Sequence, residues 1–292
     1  MTLVLIVNPS AGGGKAGRAL GDVQARLTGL GLDHHADCTQ GLEHARELAR
    51  AAATAGETAV AFGGDGLVGA VAGVLSELGG ILGVLPGGRG NDFARAIGIP
   101  PDPTAACEVL RSGVVRSLDL GEVESQTFIG IASCGFDSVA NRIANETRLM
   151  RGPLVYAYGA LRALVGWKPA TFTVELDDGR HRTVTGYTVA AANSKAYGGG
   201  MIMAPDASLE DGLLEIVIVG DVPRLRFLRL LPTVFNGEHV NQPNVEVIRS
   251  ASARISASRP FTMYADGDPI AELPVTVRAR PGAVRTIVPA PR

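Results

Sequence analysis

Cysteine is scarce. The 292-residue chain has three, Cys38, Cys107 and Cys134, too few and too scattered for a disulfide framework or a zinc site. They read as small buried hydrophobes in a reducing cytoplasm. An excess of one charge is also missing: 27 Lys and Arg face 29 Asp and Glu, a formal net charge of −2. The basic domain or stripe of a nucleic-acid binder is therefore absent, and nucleic acid is not an expected partner. Long apolar runs are lacking too. No segment approaches the ~18–20 uncharged apolar residues that cross a bilayer. The opening MTLVLIVNPS has an apolar run of only about five residues and no basic flank, short of the ~7–15 of a secretory signal. It reads as a first strand in a cytoplasmic protein, and any contact with the inner face of the membrane is expected to be peripheral. The five histidines, His34, His35, His44, His181 and His239, show no metal-ligand spacing.

Apolar residues make up 46% of the chain and charged ones 19%, with 38 Gly and 17 Pro. This is the profile of a packed globular protein with many tight turns, and its length exceeds the ~250 residues at which single cores usually split. Two domains are expected. Strand-like Leu3–Val7, Leu32–Asp37, Thr58–Phe62 and Ile81–Leu85 alternate with helix-like stretches at 15–30, 42–55, 67–78 and 92–97. That alternation predicts a parallel α/β domain over residues 1–122 whose turns gather at the carboxyl ends of its strands. From 123 to 280 short alternating segments predict a mostly antiparallel domain. Among them are 127–134, 172–176, 183–192, 214–219 and 276–279, with helical insertions near 138–165 and 223–236. The tail, 281–292, is expected to pack back on the first domain.

Three glycine-rich turns carry the chemistry. In 8-NPSAGGGK-15, consecutive glycines before a helix let backbone N–H groups approach a phosphate; an ordinary turn fits equally well. In 63-GGDG-66, Asp65 stands between glycines at a sheet edge, where a carboxylate can hold Mg2+; the plain alternative is a helix cap. In 86-PGGRGNDFAR-95, Asn91 and Asp92 open a helix, suited to phosphate, to ribose or simply to capping. A late 264-YADGDP-269 reads by itself as a hairpin turn, since Asp-Gly is a strong turn signal.

These turns in this order, together with 117-SLDLG-121, 134-CGFD-137 and 205-PDASLEDGLLEIVIV-219, resemble the diacylglycerol kinase catalytic-domain family of lipid kinases, which includes sphingosine and ceramide kinases. The resemblance implies a phosphofructokinase-like N-terminal α/β domain, a C-terminal antiparallel β-sandwich and an active site between them. It further implies ATP and Mg2+ as cofactors and a lipid hydroxyl as acceptor. By position it makes Asn8, Ser10, Gly12, Thr39, Gly63, Gly64, Gly66 and Asn91 nucleotide contacts. Asp65, Asp266 and Asp268 become the catalytic acids, with Asp65, Asp119 and Asp268 around Mg2+ and Asp266 receiving the proton of the acceptor hydroxyl. Asp211, with the carbonyls of Leu209 and Leu213, matches a second, structural Mg2+ site. A homodimer is left open.

The chain departs from the family pattern at Leu67, where Thr is common, at Gly69-Ala70, where Asn-Glu is usual, at Arg89, again a usual Thr, and at Asp268, often Glu. Arg89 is expected to replace a lost hydroxyl with a charge-assisted phosphate contact. Two other readings remain: an NAD-kinase-like small-molecule kinase, supported by GGDG alone, and a catalytically silent nucleotide or lipid sensor, suggested by Leu67 and Gly69-Ala70. The segment 223-PRLRFLRLLPTVFNG-237 mixes Arg224, Arg226 and Arg229 with apolar residues. It suits either an interfacial helix near anionic lipid or a packed helix with snorkelling arginines, as do Trp167 and Lys168.

Overall fold

The computed structural model describes residues 2–146 and 153–291. Its first part runs β1 (Leu3–Val7), α1 (Ala11–Gly29), β2 (His34–Cys38), α2 (Leu42–Thr54), β3 (Thr58–Gly63), α3 (Asp65–Leu78), β4 (Ile81–Pro86), α4 (Asp92–Ala96), α5 (Pro103–Ser112) and β5 (Val114–Val123). Strands β2, β1, β3 and β4 lie side by side and parallel. Every residue of β1 and β3 is buried, as expected of parallel strands covered by helices on both faces. The small α2 residues Ala45, Ala49 and Ala52 share one buried stripe at helical spacing.

The second part comprises β6 (Gln126–Phe128), β7 (Ile131–Gly135), α6 (Phe136–Glu146), α7 (Pro153–Gly166), β8 (Ala170–Leu176), β9 (His181–Ala192), β10 (Ala196–Tyr197), β11 (Met201–Ile202), β12 (Leu214–Gly220), α8 (Arg224–Leu230), β13 (Val245–Ser250), β14 (Ser252–Ala257), β15 (Thr262–Ala265), β16 (Asp268–Glu272) and β17 (Val275–Val288). Its pairings are antiparallel, giving the β-sandwich. Strand β8 alternates between buried and less buried residues, the signature of a strand with one face in a core.

Two differences from the sequence reading matter for the site. The strand expected over 127–134 is two strands, β6 and β7, parted at Ile129 and Gly130, because the amides there turn away from the ladder to a carboxylate. The strand expected over 276–279 is the 14-residue β17. Its first residues pair with β14 in the sandwich, and its later ones pair with β5 and with β4 in the parallel sheet. The two sheets are thereby one hydrogen-bonded system. In the helical insertions, α8 ends at Leu230 and a 3-10 turn, Leu231–Phe235, follows with Pro232 near its start, where a missing N–H costs nothing. The expected helix over 138–165 is α6 and α7, with 147–152 outside the described residues.

Candidate active site

The three glycine turns meet at the carboxyl ends of β1, β3 and β4. Gly12, Gly13 and Gly14 all have left-handed backbones, φ 61°, 72° and 86°, so regular helix begins only at Lys15. A Cβ on Gly12 would stand 2.5 Å from the Gly87 carbonyl oxygen, and one on Gly88 would stand 2.5 Å from the Gly64 Cα. Backbone packs on backbone here, which explains why side chains are absent. The N–H groups of Gly87 and Gly88 both donate to the Gly63 carbonyl. Asn8 accepts from the Ser10 N–H and hydroxyl at 3.1 and 2.8 Å, and Thr39 accepts from the Gly41 N–H at 3.2 Å. Asn91, at φ 52°, accepts from the Gly88 N–H and donates to the Gly88 carbonyl. Its side chain braces its own turn.

Asp65 opens α3, and its Oδ1 accepts from the Phe93 N–H at 3.0 Å. Burial raises its pKa, against the lowering effect of that N–H and of the Asp92 N–H. Asp92, which the sequence offered only as part of a helix start, is 7% exposed. It accepts from Arg95 at 2.7 Å and, across the chain, from the Gly199 N–H at 2.7 Å.

Asp266 and Gly267 form the two-residue turn of the β15–β16 hairpin, with φ of 52° and 98°, the left-handed pair that an Asp-Gly hairpin turn adopts. The turn folds the Asp266 carboxylate inward. There it accepts from the N–H groups of Ile129 at 2.8 Å, Gly130 at 2.9 Å and Ile131 at 3.3 Å. Burial pushes the carboxyl up to about 6; the three amides oppose the rise and the negative charge of Asp65 adds to it. The turn and an inward-held carboxylate, alternatives in the sequence, are one feature.

Asp65, Asp92, Asp266 and Arg89 line one cavity of about 540 Å³, whose other walls include Phe136, Phe227, Leu230, Leu231 and Val234. Arg89 is exposed and, among the described residues, makes no hydrogen bond or ion pair. Not every expected acid joins them. Asp268 begins β16 on the exposed side of its hairpin. Asp119 is 2% exposed, and its two oxygens accept from the Gly212 and Gly282 N–H groups, both at 2.7 Å. Its own N–H donates to the Leu209 carbonyl at 2.7 Å. Asp119 thus ties the 209–213 loop to β17. Asp211 is exposed and accepts from the Leu213 N–H at 3.1 Å. No three His, Cys, Asp or Glu side chains among the described residues are grouped to hold a metal.

The departures from the family pattern fit this packing. Leu67 is buried, and its Cδ2 lies 2.7 Å from where a Gly63 Cβ would be; it fills core beneath the turn. A Cβ on Gly69 would lie 3.7 Å from Asp266 Oδ2, an ordinary van der Waals contact, which places this departure beside that carboxylate.

Comparisons with known proteins agree with this architecture. Residues 2–123 match the diacylglycerol kinase catalytic domain, and 130–288 match the YegS C-terminal NAD kinase beta sandwich-like domain. The chain is 35% identical to a diacylglycerol kinase of Mycobacterium tuberculosis, over 97% of this chain and 94% of that one. It is 29% identical to a diacylglycerol kinase of Bacillus subtilis, over 90% and 88%. A crystal structure of a putative diacylglycerol kinase from Bacillus anthracis superposes with a TM-score of 0.82 at 21% identity, covering 98% of this chain and 95% of that one. The chain belongs to the diacylglycerol kinase family of lipid kinases.

Proposed function

We propose that this kinase transfers the γ-phosphate of Mg·ATP to a hydroxyl of diacylglycerol or a similar membrane lipid, giving phosphatidic acid or its equivalent. The observation that carries the reading is that one cavity is lined both by Asp65 and Asp266 and by Phe227, Leu230 and Leu231. A lipid hydroxyl and an apolar chain fit those two surfaces together.

The glycine turns take the nucleotide. Gly12, Gly63, Gly64 and Gly66 bring backbone close to the phosphates, and Arg89, held by no partner among the described residues, pairs with them. Asn8, Ser10, Thr39 and Asn91 shape the loops on which the nucleotide rests. Asp65 and Asp266 are close enough for the charge of one to raise the other, and two such carboxyls accommodate a divalent cation. Magnesium usually takes one or two carboxylates, several waters and the substrate phosphates, so the lack of a three-acid cluster does not oppose it. Bound by Asp65, it supplies charge neutralisation at the transferring phosphoryl group. Asp266, held by three amides, receives the proton of the acceptor hydroxyl as the new O–P bond forms and the bond from the γ-phosphorus to the bridging oxygen breaks, releasing ADP. Asp268 and Asp119 are not among the residues lining that cavity, and Asp119 ties the 209–213 loop to β17.

No helix among the described residues is long and apolar enough to cross a membrane. Membrane contact is assigned to the surface where Leu161, Val165 and Leu225 are exposed at 54%, 74% and 72%. Arg224 donates there to the Trp167 carbonyl, and Arg259 to that of Lys168. Apolar and cationic groups side by side suit an anionic bilayer surface.

The deciding experiment follows radiolabelled ATP turnover with vesicles containing diacylglycerol, with NAD, and with neither. Labelled lipid in the first alone is expected. Turnover with NAD alone would reverse the choice, and ATP binding without turnover on a broad lipid panel would point to a sensor.

A further inference from the structure

The strands that hold Asp266 present two further polar side chains to the cavity. Side chains alternate between the faces of a strand. On β15, Met263 and Ala265 enter the sandwich core, and Tyr264 between them lines the cavity. On β7, Ala132 and Cys134 enter the same core, and Ile131 and Ser133 line the cavity. Tyr264 and Ser133 are direct cross-strand partners, so their side chains stand next to each other on one face.

The same two strands fix where this pair lies relative to the acid. The Ile131 N–H donates to Asp266 Oδ1 at 3.3 Å, and the Asp266 N–H donates to the Ile131 carbonyl at 3.2 Å. Ser133 is two residues beyond Ile131 and Tyr264 two residues before Asp266, a step of about 7 Å along the ladder. The two hydroxyls are therefore the next row of the wall after the acid, within the span of one lipid headgroup. Neither is engaged. Ser133 is 5% exposed, and its Oγ makes no hydrogen bond among the described residues. It is nevertheless not one of the enclosed side-chain atoms left without a partner, so it opens onto the cavity. The Tyr264 hydroxyl likewise makes no hydrogen bond among the described residues. By contrast, Asp137 and Thr188 on the cavity wall are already paired, with the Tyr197 hydroxyl at 2.8 Å and the Asp137 N–H at 3.4 Å. A free hydroxyl both donates and accepts, and covering it with a ligand that offers no partner costs free energy.

We propose that Tyr264 and Ser133 form a specificity subsite that hydrogen-bonds a second oxygen of the acceptor, so that the enzyme takes glycerolipids in preference to long-chain monoalcohols. This rests on the lipid-kinase reading and narrows the acceptor class within it. In a glycerolipid the ester oxygens lie a few bonds from the free hydroxyl, and a hydroxyl held at Asp266 brings them to this row. In a fatty or polyprenyl alcohol the same place holds only hydrocarbon, which strips water from both hydroxyls and replaces no hydrogen bond. The penalty is ~10-fold or more in kcat/KM.

The test compares 1,2-dioleoylglycerol with a two-chain branched primary alcohol of equal length in the same mixed micelles, at saturating ATP, for wild type, Tyr264→Phe, Ser133→Ala and the double variant. The wild type is expected to favour dioleoylglycerol by ~10-fold or more. Each single variant loses ~3–10-fold in kcat/KM on dioleoylglycerol and nothing on the alcohol, and the double variant closes the gap. The ATP dissociation constant stays the same throughout. Tyr264→Phe removes only an oxygen from a half-buried ring and covers the case in which Ser133→Ala fails to fold. Equal use of both acceptors by wild type, a fall shared equally by both acceptors in the variants, or a gap that survives in the double variant overturns this inference alone. Use of neither acceptor by wild type overturns the lipid-kinase reading with it.

Discussion

The N–H of Gly130 donates to Asp266 Oδ1 at 2.9 Å across 136 residues of sequence. A Cβ on Gly130 would stand 2.6 Å from that same oxygen, so the carboxylate occupies the space that any other residue would fill. Gly130 is not among the positive-φ residues, and alanine is compatible with its backbone. Gly130→Ala is expected to push the carboxylate aside and lower kcat by up to ~100-fold, the cost of a misplacement of about 1 Å. ATP affinity should be unchanged. Steady-state kinetics with nucleotide binding measured separately checks both halves; an unaltered kcat would remove Asp266 from the reaction.

The titration of Asp266 sets a pH dependence. Its ordinary value of 3.8 is raised to about 6 in the fold, and only the ionised form accepts a proton. The kcat profile should therefore fall on its acid side with a midpoint near 6, and Asp266→Asn should abolish that limb and lower kcat by ~10²–10⁴-fold. Stability runs the other way. The folded chain binds this proton more tightly than the unfolded one, so between pH 6 and 4 acidification favours folding through this group, and above that window its charge opposes it.

Arg89 is exposed at the cavity and held by no partner among the described residues. A charge-assisted phosphate contact contributes ~1.5–3 kcal/mol. Arg89→Ala should raise the ATP dissociation constant by ~10–100-fold while the melting temperature stays put. Calorimetric titration with ATP reads it directly, and equal affinities would place the guanidinium away from the phosphates.

Asp119 makes a different kind of prediction. Two buried charge-assisted bonds, to the Gly212 and Gly282 N–H groups, disappear in Asp119→Ala. The expected loss is about 3 kcal/mol of stability, measured by urea denaturation and equal with Mg2+ or with chelator. A loss seen only when Mg2+ is present would instead make Asp119 a metal ligand.

How much of this was legible depends on the range of the interaction. Residues Leu3–Val7 and Thr58–Phe62 announced themselves as buried parallel strands by unbroken apolar runs, and the glycine runs marked the turns between them. Strand β17 did not. Only 276–279 showed alternation, because the rest of its 14 residues include Arg280, Pro281 and Gly282, and its partners lie in two different sheets. The acids divided in the same way. Asp65 was identified by the glycines around it. Asp266 and Asp268, two residues apart in one turn, looked alike, yet one points to the cavity and the other to solvent. Asp92 and Asp137 carried no local pattern distinguishing a helix start from a cavity wall.

Local periodicity and glycine spacing were enough to define an α/β domain and an antiparallel partner, since each depends on residues a few positions apart; the kinase family rested on the resemblance of motifs spread along the chain. Which carboxyls share a cavity was settled only when the chain closed on itself. The hydrogen bonds that orient Asp266, Asp92 and Asp119 come from backbone amides far along the sequence. A backbone N–H looks the same in every residue but proline, and so leaves no trace in the order of side chains.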